Sequence, residues 1–218
     1  MYEALSLSRE THGRPGVTLA ACALVAAASL AALGHLTAGF ELWTFEAQRR
    51  HDAASGRTTF PAMALVDASG QARLLPAGGT GRVLLVDFIY TNCQSVCLAL
   101  GAELYQAQQR IQSVGSGIQL LSVSIDPARD TPKALAAYAR RHRADTRFWT
   151  IASPASVDDG RRARRALRVI AVDDGIGGFA HNGALHVVDR DGRVAAIFDT
   201  ADWQRALALA EALEGAGP

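Results

Sequence analysis

The chain lacks an excess of either charge: 22 Lys and Arg stand against 21 Asp and Glu in 218 residues, a formal net charge of +1. That balance excludes the basic footprint with which a chain binds nucleic acid. Internal repeats are absent, and so is low-complexity sequence beyond one Ala-rich segment near the N-terminus, so repeat architectures are excluded as well. Cysteine is scarce. Of the three in the chain, two fall within one short stretch, Cys93-Gln94-Ser95-Val96-Cys97. With 49% hydrophobic content the length suffices for one ordinary globular domain plus a short further piece.

Charged residues are missing altogether from residues 17–40, which are rich in Ala, Leu and Val and long enough to cross a bilayer as a helix. Arg9 and Arg14 precede this run, and Glu41 and Glu46 are the first acidic residues after it. The positive-inside bias therefore places the tail in the cytoplasm and the remainder across the membrane. A cleaved signal peptide is the competing reading, but its apolar part is usually about 7–15 residues and ends in an A-x-A-like site. The present run is longer, and Thr37-Ala38-Gly39 matches such a site poorly. The predicted organisation is a cytoplasmic tail over 1–16, a transmembrane anchor over 17–40, a connector over 41–58 and a folded domain over 59–218. The whole reads as a single-pass protein of a bacterial inner membrane with its soluble domain in the periplasm. Cys22 and His35 travel within the anchor and carry no predicted chemistry.

In the soluble part, 63–66 and 72–75 flank the turn sequence Asp67-Ala68-Ser69-Gly70 and predict an opening hairpin. A strand over 83–89, a helix over 96–112, a strand over 118–125 and a helix opened by Asp130-Thr131-Pro132 follow. That alternation implies a right-handed crossover and parallel strands with helices on the faces. A third helix over 157–167 leads to strands 185–188 and 194–198, joined by Asp189-Arg190-Asp191-Gly192, and a last helix covers 201–213. The predicted fold class is α/β: a thioredoxin-like fold with an N-terminal β-hairpin extension, preceded by a single transmembrane helix.

Cys93 and Cys97 then fall where the first core strand hands over to a helix. The positive end of a helix dipole lowers a thiol pKa and makes the thiolate a better nucleophile or metal ligand. Residues at i and i+4 of a helix have Cβ atoms about 5–6 Å apart, whereas a relaxed disulfide wants about 3.8 Å. A metal bonding each sulfur at about 2.3 Å spans the wider gap. The spacing leans towards metal and leaves redox chemistry open; an oxidising compartment would make the pair a disulfide unless something keeps it reduced.

Of six histidines, His12 and His35 belong to the tail and anchor, His51 to the connector and His142 to the predicted exposed end of an Arg-rich helix. His186 lies within the alternating strand 184–188 and reads as a half-buried strand histidine. His181 stands just before that strand, after the Gly-rich loop 173–179, where it can reach a neighbouring site. Asp126 and Asp130 read as a loop-fixing residue and a helix cap, with outer-sphere support of His181 as the sharper alternative. Arg161, Arg162, Arg164, Arg165 and Arg168 form a basic helix surface, read as a solvated face.

Several of these motifs together resemble the SCO/SenC family of membrane-anchored, thioredoxin-like proteins of cytochrome c oxidase assembly. Asp87-Phe88-Ile89-Tyr90-Thr91-Asn92-Cys93 with Cys97 resembles the family's strand and T-x-C-x3-C site. Ser124-Ile125-Asp126-Pro127 through Asp130-Thr131-Pro132 resembles its S-V-D-P-x-x-D-T-P segment, and Tyr138-Ala139 and Trp149 follow at similar spacing. His181, ahead of the Asp-x-Asp-Gly turn, matches the family's metal-binding histidine. The resemblance implies that Cys93, Cys97 and His181 bind one copper ion, as Cu(I) or Cu(II). It also implies a metallochaperone delivering copper to the dinuclear copper centre of oxidase subunit II, with that subunit or other copper chaperones as partners. Two thiolates suit Cu(I), an imidazole makes the site acceptable to Cu(II), and three ligands leave a position open for exchange. The chain departs from the family in having Gln94 and Leu98 where proline commonly follows each cysteine. A thiol-disulfide oxidoreductase, with Cys93 attacking and Cys97 resolving, is the alternative. Against it, Ala180-His181 stand where thioredoxin-type enzymes have a cis-proline, and the thiols are spaced C-x3-C rather than C-x2-C.

Overall fold

The computed structural model describes residues 15–76, 78–93, 96–175 and 177–216, without the side chains of 96–99. Arg9, Arg14 and Gln94 lie outside the described residues, as do the side chains of Cys97 and Leu98. The chain divides into two compact units, Met1–Gln48 and Arg49–Pro218.

The first unit contains α1 (Pro15–Leu36), 22 residues long and apolar enough to cross a membrane by length and composition. It is shorter than the uncharged run 17–40, because the chain turns after Leu36. The Thr37 hydroxyl donates to the Leu33 carbonyl at 2.7 Å and accepts from the Phe40 N–H at 3.1 Å, closing the helix end. The stretch expected as a connector carries α2 (Phe45–Ala54), opened by Thr44, whose Oγ1 accepts the Ala47 N–H at 3.0 Å.

The second unit begins within α2, and its first strands form the expected hairpin, β1 (Met63–Asp67) and β2 (Ala72–Leu75). Its turn is tied by Asp67, whose Oδ1 accepts the N–H groups of Ser69 and Gln71. Then come β3 (Leu84–Ile89), α3 (Val96–Val114), β4 (Gln119–Ser124), α4 (Pro132–Arg141), β5 (Trp149–Pro154) and α5 (Val157–Ala166). The chain continues through β6 (Ala171–Asp173), β7 (Phe179–His181), β8 (Leu185–Val188), β9 (Val194–Phe198) and α6 (Trp203–Gly215). Seven strands form one sheet in the order β2-β1-β5-β4-β3-β8-β9, with β3, β4 and β5 parallel and β8 antiparallel to β3. This is the thioredoxin-like arrangement anticipated from the order of elements.

Two pieces were not anticipated. Residues 149–154, between two helices, form β5, the third parallel strand; their mixed sequence, Trp-Thr-Ile-Ala-Ser-Pro, lacks the apolar alternation that marks a strand. The expected Gly-rich loop 173–179 is instead part of a hairpin over 171–181, which closes on itself as a separate two-stranded sheet, β6 with β7. His181 is thus the last residue of a short strand.

Every residue of β3 is buried, because both faces of the sheet are covered. Leu85 and Ile89 point to one core with Leu104, Ile111, Tyr138, Trp149 and Leu207 from α3, α4, β5 and α6. Leu84, Val86 and Phe88 point to the other with Ala163 and Leu167. This is the period-two alternation of a central strand.

Asp87 interrupts the apolar series. Its Oδ1 accepts the Ser122 hydroxyl across the sheet at 2.5 Å, and the Trp149 indole N–H donates to the same Ser122 oxygen at 2.9 Å. Burial, only partly offset by the Ser122 bond, raises the Asp87 carboxyl to about 7. The native state therefore keeps a proton that the unfolded chain releases near pH 4. This contribution to stability is complete below that value and is lost as pH rises towards about 7. Asp87→Asn keeps an acceptor for Ser122 and removes the titration. In urea melts, the stability of the variant relative to the parent should increase from pH 5 to pH 8, by at most about 1.4 kcal/mol per pH unit. Parallel pH curves would show that Asp87 is ionised throughout.

Candidate metal centre

The site expected from the thiol pair begins where β3 leaves the sheet. After Ile89 the chain turns through Thr91 and Asn92, and the Cys93 N–H donates to the Tyr90 carbonyl at 3.2 Å. Asp130 closes this turn from the loop before α4. Its carboxylate accepts the Thr91 hydroxyl at 2.6 Å and the Thr91 N–H at 3.2 Å, and it also accepts the Ser124 hydroxyl at 2.6 Å. Asp130 is therefore not the helix cap expected from sequence; Thr131 caps α4 instead, its Oγ1 accepting the Ala134 N–H. Burial raises the Asp130 carboxyl above the usual carboxylate range, and the bonds from Ser124 and Thr91 pull the other way.

Cys93 is buried, 5% exposed, within the core that includes Ile89 and Leu100. Cys97 follows in the first turn of α3, the positive end of the helix dipole, and its side chain lies outside the described residues. Among the described residues, no three His, Cys, Asp or Glu side chains gather as a ligand set. The described members of the expected set are Cys93 and His181.

His181 reaches this end of β3 through the β6–β7 hairpin. The Tyr90 ring meets Phe179 edge-on at 5.5 Å between centroids and His181 at 6.2 Å. Gly178 makes room for this approach, since a Cβ there would lie 2.5 Å from an Asp174 carboxylate oxygen and 3.1 Å from the Tyr90 hydroxyl. Asn182 pins the other end of the hairpin: its side-chain oxygen accepts the Ile170 N–H at 2.7 Å and its amide donates to the Arg168 carbonyl at 3.2 Å. Tyr90 and Asn182 both escaped sequence reasoning. Tyr90 was legible only as a member of the motif before Cys93, with no role of its own, and Asn182 carried no signal.

The His181 Nδ1 is buried and has no hydrogen-bond partner among the described residues. Burial also holds the imidazole below the ordinary histidine pKa. A neutral ring with an unsatisfied buried nitrogen fits a metal ligand, and a buried thiol fits a soft metal.

The other histidines are placed differently. His186 is fully buried rather than half-buried, with Nδ1 3.4 Å from the Val86 carbonyl oxygen and its ring edge-on to Phe88 at 5.6 Å. His142, expected at an exposed helix end, is 7% exposed and packs on Tyr138 at 4.3 Å between ring centroids. Gly101 on α3 creates that space, because a Cβ there would come within 2.0 Å of the His142 Nδ1. Of the basic helix surface, Arg161 and Arg162 pair with Asp158 and Asp159 of their own helix.

Removing the Thr91 hydroxyl tests the turn without touching a ligand. Thr91→Val should cost about 1–3 kcal/mol in denaturant melts, the range for a hydrogen bond to a carboxylate with its buried acceptor left short of a donor. A cost within experimental error would mean that Asp130 does not hold the turn.

Comparison with known proteins places this geometry in context. The family model of SCO1/SenC matches residues 52–215. A SCO1 protein homolog of Bacillus subtilis (strain 168) is 26% identical over 116 residues, 52% of this chain and 60% of that protein; the chain thus matches less than two thirds of that relative's length. Bradyrhizobium japonicum ScoI, solved with copper bound, superposes with a TM-score of 0.61 at 22% identity, covering 71% of this chain and 99% of that one. BsSco, described with a disulfide switch and as a member of the Sco family of cytochrome c oxidase assembly proteins, gives a TM-score of 0.64 at 20% identity, over 72% and 94% of the two chains.

Proposed function

Because this chain belongs to the SCO1/SenC family, we propose that it is a membrane-anchored copper chaperone holding one copper ion through Cys93, Cys97 and His181. The observation that carries this reading is the buried His181 Nδ1 without a partner, on a hairpin packed against the residue three places before Cys93. Burial keeps that imidazole neutral, so its lone pair is available without first releasing a proton. Cys97 stands in the first turn of α3, the end of a helix whose dipole generally favours thiolates, and Cys93 adds a second sulfur from a buried turn. Two thiolates accept Cu(I), the imidazole extends the site to Cu(II), and the remaining position admits a ligand from an acceptor protein. Copper-bound and oxidase-assembly relatives support delivery to the dinuclear copper centre of cytochrome c oxidase subunit II.

The same thiols could act as a thiol-disulfide oxidoreductase, and copper separates the two roles. Full-length reduced protein in detergent should take up one copper per chain, with uptake weakened strongly in Cys93→Ser, Cys97→Ser and His181→Ala and hardly changed in His186→Ala. Oxidation to the disulfide should release the metal, since it consumes both sulfur ligands. Unchanged stoichiometry in His181→Ala would remove the third ligand, and rapid disulfide exchange with model substrates in metal-free buffer would favour the oxidoreductase.

We further propose that α1 anchors the chain in a bacterial inner membrane with 59–218 in the periplasm, where tethering raises the effective concentration near a membrane-bound acceptor. A reporter fused after Arg50 should be active in the periplasm and the chain should resist carbonate extraction. A mature N-terminus near Phe40 in the soluble periplasmic fraction would identify a signal peptide instead.

A further inference from the structure

The β6–β7 hairpin is a two-stranded sheet outside the main one, with Val172 59% exposed. Such a hairpin is marginal by itself, so whatever ties it to the body decides where His181 stands. One tie crosses from the loop before α4. Arg129 Nε donates to Asp126 Oδ2 at 2.5 Å, Nη1 donates to the Gly177 carbonyl at 3.0 Å, and the guanidinium lies 5.6 Å from the Phe179 ring centroid. Asp126 is itself fixed, its N–H donating to Ser124 Oγ at 2.9 Å, and the Ser124 hydroxyl donates to Asp130, which holds Thr91. A continuous polar path therefore runs from Thr91, two residues before Cys93, to Phe179, two residues before His181.

We infer that Arg129 is a positioning residue, a strap that holds the histidine hairpin against the cysteine turn and so sets whether the imidazole joins the two sulfurs. The inference rests on the ligand set proposed above and adds a residue to it. Only a planar cation with donors on two edges can meet Asp126, a backbone carbonyl and an aromatic face together, and lysine cannot reproduce all three contacts. The expected consequence is selective. Two thiolates alone satisfy Cu(I), whereas Cu(II) depends on the harder nitrogen ligand. Loss of the strap should therefore weaken Cu(II) binding far more than Cu(I) binding.

The test compares the full chain, Arg129→Ala, Arg129→Lys and His181→Ala in detergent, titrated anaerobically with Cu(I) and with Cu(II), and follows amide hydrogen exchange without metal. In Arg129→Ala, Cu(II) affinity should fall about tenfold or more, the scale for losing an outer-sphere support, and the Cu(II) absorption and electron paramagnetic resonance spectra should move towards those of His181→Ala. Cu(I) affinity should change much less. Amides of 171–181 should exchange faster while those of β3 and β4 keep their protection, and Arg129→Lys should fall between the two and serves as the reading if the alanine variant does not fold. Equal loss for both oxidation states, or hairpin exchange and Cu(II) spectra unchanged from the parent, would overturn the strap. If the parent binds copper in neither state, the ligand set fails, and hydrogen exchange in the metal-free protein alone decides whether Arg129 holds the hairpin.

Discussion

A strand buried on both faces cannot leave the backbone groups at its end without partners, because each unpaired N–H or C=O out of reach of water costs on the order of 1–3 kcal/mol. β3 is such a strand, and the arrangement of the site follows from how its exit is closed. The Ile89 carbonyl accepts the Ile125 N–H at 2.7 Å from the end of β4. The Tyr90 carbonyl accepts the Cys93 N–H, and the Thr91 N–H is taken by Asp130. Each of these bonds narrows the positions the turn can occupy, so Cys93 is delivered to one place before any ligand contributes.

The histidine arrives by another route. No strand pairing joins β6 or β7 to the main sheet, so ring contacts with Tyr90 and polar contacts at both ends of the hairpin replace a hydrogen-bonded ladder. Under the proposed function, a cysteine turn fixed by backbone bonds and a histidine held by side-chain contacts would suit a site that binds a metal and also gives it up, since one ligand could withdraw at lower cost than the others. Val172, Asp173 and Asp174 of the same hairpin are exposed.

Buried polar groups recur along this path. Asp87, Ser122 and Trp149 form one bonded group inside the sheet, and Thr91, Asp130, Ser124 and Asp126 form another at the C-terminal ends of β3 and β4. One oxygen of Asp87, both of Asp130 and Oδ2 of Asp126 accept donors from nearby side chains, which lets polar residues stand beside a core otherwise built from Leu, Ile and Val, while the buried Asp87 Oδ2 has no hydrogen-bond partner among the described residues. The segment Ser124-Ile125-Asp126-Pro127-Ala128-Arg129-Asp130-Thr131-Pro132 supplies most of the second group. Its polar residues follow one another closely in sequence yet serve different parts of the fold: the strand exit, the hairpin and the start of α4.

Local chemistry determined much of this protein from the sequence alone. The uncharged run 17–40, the apolar period of β3, the Asp67 turn, the Thr131-Pro132 helix start and the placement of two thiols between strand and helix all depend on neighbours within a few residues, whose side chains and backbone preferences act at short range. Family membership was legible for the same reason, because its motifs are short and contiguous. Tertiary structure alone decided that residues 149–154 complete the parallel strands, since Trp149 and Ser153 gain their strand character from β4 and β1 beside them rather than from their own alternation. It likewise buried His142 in a gap left by Gly101, moved Asp130 from a helix cap to the Thr91 turn, and brought Arg129 to Gly177 across 48 positions. Those outcomes are contacts between residues far apart in the chain, and no pattern of adjacent residues encodes which distant partner will satisfy a given polar group once the sheet has closed.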